Sequence, residues 1–131
     1  MIGKLMKLQT IAVFSVVQLL IAFVSDSAPI RVLVWDERQP AQKQAYTNFL
    51  GNEIAAHLRK SADLTVKSAA LDEPQQGLSG LDNFDVIIWW GHQRQDEIKI
   101  ETAREIVQRV KEGKLALLML HSAHWSQAFV E

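Results

Sequence analysis

Three of the four histidines stand just after apolar runs: His92 shortly after VIIWW, then His121 and His124 after LALLML. Trp35, Asp36 and Glu37 hold the equivalent place after IRVLV. In a parallel α/β sheet all these positions share one edge, where ligands bind outside the carboxyl ends of the strands. An apolar core does not require imidazoles to collect there. A histidine set among aromatics in a cleft serves as acid or base, as hydrogen-bond donor to a sugar hydroxyl, or as metal ligand.

Details at each strand end refine those options. Gly91 permits a sharp exit before His92, and the adjacent Trp89 and Trp90 put one indole on each face of the sheet. Trp35, ending a buried strand, suits either stacking on a sugar ring or core packing. Ser122 lies between His121 and His124 on a strand-to-helix turn, but a serine nucleophile there wants glycines two residues to either side. Leu120 and His124 occupy those places, which argues against it. His92, His121 and His124 with Asp36 or Glu37 offer nitrogen and oxygen ligands for a zinc-like divalent ion. Their spacing matches no defined metal motif.

To position these residues the chain needs alternating strands and helices, and the hydrophobic pattern supplies them. Ile30–Trp35 reads as a buried strand, followed by a helix from about Gln42 to Lys60 with a stripe of Tyr46, Phe49, Leu50, Ile54 and Leu58. Leu64–Ala69 alternates like a half-exposed edge strand. Pro74, Gly77 and Gly80 make 71–83 an irregular crossover. Val86–Trp90 is a second buried strand, and a helix from about Glu97 to Glu112 stops at Gly113. Leu115–Leu120 is a third buried strand, and Trp125–Val130 opens another helix. The sum predicts a doubly wound, mostly parallel α/β sheet in the order 2-1-3-4, with the switch point between strands one and three.

Composition narrows the function. The chain has 131 residues, 48% hydrophobic and 22% charged, which suits one globular domain at most. A net charge of −1 with no Lys/Arg stripe gives no attraction to nucleic acid. The absence of cysteine excludes thiol catalysis, thiolate metal sites and disulfides. At the N-terminus, Lys4 and Lys7 precede the apolar run Ile11–Val24, and Ser25 and Ser27 bracket Asp26. These are the parts of a secretory signal over residues 1–27, so export with cleavage after Ser27 is expected, and no membrane span should remain. An uncleaved anchor is the rival reading.

The same stretches resemble the ThuA-like trehalose-utilisation family, of the class I glutamine amidotransferase-like fold. The resemblance rests on IRVLVWDE at 30–37, LDEPQQGL at 71–78, DVIIWWGH at 85–92, DEI at 96–98 and LLMLHSAHWS at 117–126. It implies a flavodoxin-like three-layer sandwich, of which residues 28–131 would be the N-terminal, incomplete part. It further implies uptake or use of trehalose and related disaccharides, including oxidised keto-sugars. His121 would stand where amidotransferases carry cysteine, so glutaminase activity should be absent. On this reading His92 and His121 transfer protons, while Trp35, Trp90 and Trp125 stack on sugar faces. Asp36, Glu37 and His124 bond to the sugar. Gln95 and Ala123 depart from the family's usual histidine and glycine. The rival class is a non-catalytic sugar-binding or interaction module, and a third is a metal-dependent hydrolase.

Overall fold

The computed structural model describes residues 27–131. The leader expected over residues 1–27 therefore lies outside the described residues, apart from Ser27. β1 (Ile30–Asp36), β2 (Leu64–Ala70), β3 (Val86–Trp90) and β4 (Ala116–Leu120) form one parallel sheet in the order β2-β1-β3-β4. This is the doubly wound, flavodoxin-like arrangement predicted from the sequence, with its switch point between β1 and β3.

Strand parity sorts the apolar side chains into two layers. On one face Leu33, Trp35, Ile87 and Trp89 pack under Ala103 and Ile106 of a helix, α3 (Ile100–Lys111). Leu71, Leu78 and Leu81 of the β2–β3 connection join that cluster, so an irregular crossover covers the sheet where a helix otherwise would. On the other face Val32 and Val34 meet Ile54, Ala55 and Leu58 of α2 (Leu50–Leu58). α3 ends with Gly113 at φ 68°, whose N–H donates to the Val110 carbonyl while Lys114 N–H donates to Arg109. That pair of bonds is the Schellman stop which the glycine announced.

Two expectations change. The helix expected over 42–60 is two pieces, α1 (Gln42–Ala45) and α2, with Tyr46 extended and exposed between them. The restart is fixed from outside the helix: Leu50 N–H donates to the Gln42 side chain and Gly51 N–H to the Asp36 carboxylate. Asn48 adds a local bond by accepting the Phe49 N–H.

β3 and β4, expected as buried strands, are covered on one face and only partly on the other. Ile87 and Trp89 are buried, whereas Val86, Ile88 and Trp90 are half-buried and Leu118 is 52% exposed. α2 packs mainly on β1 and β2. No helix among the described residues is long and apolar enough to cross a membrane. The strand-to-helix turn after β4 is a 3₁₀ turn over His121–Trp125, and α4 (Gln127–Val130) follows.

Candidate functional site at the carboxyl rim

Register brings the sequence-selected strand ends together. Asp36 pairs with Trp90 across β1 and β3, and Trp90 with Leu120 across β3 and β4. Glu37, Gly91 and His121 are thus the first residues past the paired ends, and Glu37 N–H still donates to the Trp90 carbonyl. His92, His121, His124 and Trp125 are exposed on this rim, and Trp90 is half-buried.

The 3₁₀ turn after β4 carries most of the accessible chemistry. His121 adopts φ 45°, a left-handed conformation that costs a residue with a Cβ about 1–2 kcal/mol. Its Nδ1 lies 2.7 Å from the Ser122 hydroxyl, so Nε2 is the nitrogen left for a ligand. His124 Nδ1 lies 3.1 Å from the His121 carbonyl. A carbonyl only accepts, so Nδ1 carries the proton and a neutral His124 presents Nε2 as an acceptor. The Trp125 ring sits 5.1 Å from that imidazole and is 72% exposed.

Three residues expected to touch a ligand are inside the protein instead. Trp35 is fully buried, stacked on Trp89 at 4.1 Å between centroids, and its Nε1 donates to the Gln76 carbonyl at 2.8 Å. The register explains it: Trp35 pairs with Trp89 on the face that α3 covers. Asp36 Oδ1 accepts from Arg38 N–H at 2.7 Å and Gln42 Nε2 at 3.0 Å, while Oδ2 accepts from Gly51 N–H at 2.7 Å. Glu37 accepts from Gln93 N–H at 2.9 Å, Arg94 N–H at 3.0 Å and the Gln39 amide. Both carboxylates are buried, and each accepts three hydrogen bonds. They shape the loops and do not face a ligand.

That inward turn also takes Asp36 and Glu37 out of the set of residues offered for a zinc-like ion. Among the described residues no group of three or more His, Asp or Glu side chains is placed to hold a metal ion. The oxygens that a zinc-like site would need are committed to backbone N–H groups. His92 is therefore an exposed side chain on a loop anchored by Glu37.

Several residues that organise the rim have a structural role that the sequence did not assign them. Gln95 is buried and its Nε2 donates to the Ser122 carbonyl at 3.2 Å, tying the His92 loop to the His121 turn. Arg94 is forked between Glu97 and Asp72, which raises its own pKa and holds both carboxyls below their usual range. Gly51 is more telling, because a Cβ there would meet Asp36 Cβ at 2.6 Å. A glycine early in a helix is the one sequence clue to that close approach.

No protein-family model matches the chain, and no curated protein matches it either.

Proposed function

We propose that this is an exported ThuA-like domain that binds trehalose or a related disaccharide, including an oxidised keto form, at the carboxyl rim. The observation that carries the reading is His121: a non-glycine residue held left-handed at a strand end, beside two more exposed histidines. Strain of this kind persists where the fold over-determines it, and it concentrates at functional sites. His92 and His124 bond to sugar hydroxyls, and the half-buried Trp90 and exposed Trp125 offer rings to sugar faces. Trp35, Asp36 and Glu37 support that surface from below.

If the sugar is chemically changed, His121 or His92 moves a proton beside its carbonyl. The alternative, a sugar-binding module without turnover, uses the same rim. Buried Asp36 and Glu37 leave imidazoles as the accessible acid–base groups on the residue set named above, which suits either version.

Calorimetric titration of the protein with trehalose, alongside His92→Ala and His121→Ala, tests the proposal. Affinity lowered tenfold or more in both variants is the expected result. Equal affinity in all three proteins, with no difference in turnover of an oxidised disaccharide, ends it. N-terminal sequencing of the mature protein checks the export component, with a start at Ala28 expected.

A further inference from the structure

A doubly wound sheet ordinarily receives a ligand's negative charge in two places. One is the first turn of the helix after β1, and the other is the backbone N–H groups of the loop across the switch point. In this protein both are filled from within. The Asp36 carboxylate accepts the Gly51 N–H in the first turn of α2, at 2.7 Å. The Glu37 carboxylate accepts two consecutive N–H groups, Gln93 at 2.9 Å and Arg94 at 3.0 Å, in the loop after β3.

The two side chains are 1% and 0% exposed, so neither swings aside for an arriving anion without opening the rim. The nearby guanidinium groups are paired with carboxylates of their own. Arg38 pairs with Glu73 at 3.1 Å, and Arg94 pairs with Asp72 at 2.8 Å and Glu97 at 2.7 Å. Gly91 packs tightly over the same carboxylate, since a Cβ on it would lie 3.2 Å from Glu37 Oε2.

We propose that Asp36 and Glu37 are specificity determinants: internal anions that occupy the phosphate seats and restrict the rim to uncharged ligands. This rests on the carbohydrate reading and deepens it. A neutral sugar meets histidines and indoles, whereas a phosphorylated sugar meets two carboxylates already seated on the Gly51, Gln93 and Arg94 N–H groups. A tethered carboxylate also competes at a high effective concentration that free phosphate does not match.

Two measurements test it, and they fail separately from the sugar proposal. In the first, full-length protein is titrated with trehalose and with trehalose 6-phosphate. Binding of the phosphate ester at least tenfold weaker is expected, and equal or tighter binding overturns the inference. Glu37→Gln, which keeps the packing and removes the charge, should narrow that ratio.

The second needs no sugar. Thermal melting followed by circular dichroism is compared in inorganic phosphate and in chloride at equal ionic strength. Wild type should melt at the same temperature in both. Glu37→Ala, or Glu37→Gln should the alanine variant not fold, should gain a phosphate-dependent rise. A phosphate-dependent rise of the same size in wild type, or no rise in either variant, overturns the inference. Should trehalose fail to bind wild type, the sugar reading falls, and the phosphate melts still decide this one.

Discussion

The two ends of the sheet solve the same problem with different residues. At the amino end the left-handed positions are Gly80 and Gly113, and the polar contacts include the exposed pair of Arg31 with Asp85 and that of half-buried Arg109 with exposed Asp82. At the carboxyl end the left-handed positions are Arg38, Gln75, Gln76, Gly77 and His121, and the buried carboxylates of Asp36 and Glu37 add to surface ion pairs such as Arg94 with Asp72. Only Gly77 among these five avoids the Cβ penalty. One end is built for cheap folding. The other retains side chains where glycine would be more stable, a difference that the proposed ligand-binding role of this rim would account for.

Asp36→Ala should break this contrast with the largest effect. It strands the Gly51 and Arg38 N–H groups and the Gln42 amide inside the protein, at about 3 kcal/mol or more. A urea titration followed by circular dichroism measures it, and a loss under about 1 kcal/mol would contradict the geometry described.

A matched pair sharpens the comparison next. His121→Gly should stabilise the fold by about 1 kcal/mol through relief of the left-handed backbone, partly offset by the freedom glycine has in the unfolded chain, while weakening sugar binding. Gly113→Ala should destabilise by about the same amount. No atom lies within 4 Å of the added Cβ at Gly113, so the cost there is conformational alone. The same denaturation curves, run side by side, check both signs.

The smallest effect belongs to the amino rim. Hydrogen bonds from the Arg31 side chain and N–H lower the Asp85 pKa to about 2. A carboxyl depressed in the folded state stabilises at pH values above its unfolded pKa, about 3.9, and that contribution disappears as pH falls towards about 2. Asp85→Asn should therefore flatten the stability profile between about pH 4 and about pH 2 and change little at pH 7 beyond a small uniform loss. The pair is largely solvent-exposed, so screening keeps it weak. An acid titration of both proteins, read by tryptophan fluorescence, is the measurement.

Periodicity carried the strands, their order and the switch point, because parallel pairing and right-handed crossovers leave few alternatives. It failed where a tertiary hydrogen bond overrides a local pattern. The stripe from Tyr46 to Leu58 is continuous in spacing, yet Asp36 and Gln42 restart the helix at Leu50. The convergence of these strand ends on one rim was legible, and their contacts less so. Trp35, Asp36 and Glu37 stand at the right edge, but an exposed and a buried carboxylate read alike in sequence. Parity would have placed Trp35 with Leu33 and Trp89, and hence in the core. The buried bonds of Gln42 and Gln95 leave no pattern at all, since an amide in the interior is specified only by what surrounds it.

The half-covered β3–β4 face bears on practical work with the isolated chain. Leu118 at 52% exposure beside Ile88, Trp90 and Leu120 offers a ready surface to an anilinonaphthalene-type dye. Native protein should therefore fluoresce in its presence before any heating. Dye-based melting would start from a high baseline and report unfolding poorly, which makes backbone ellipticity the sounder readout for every stability comparison above.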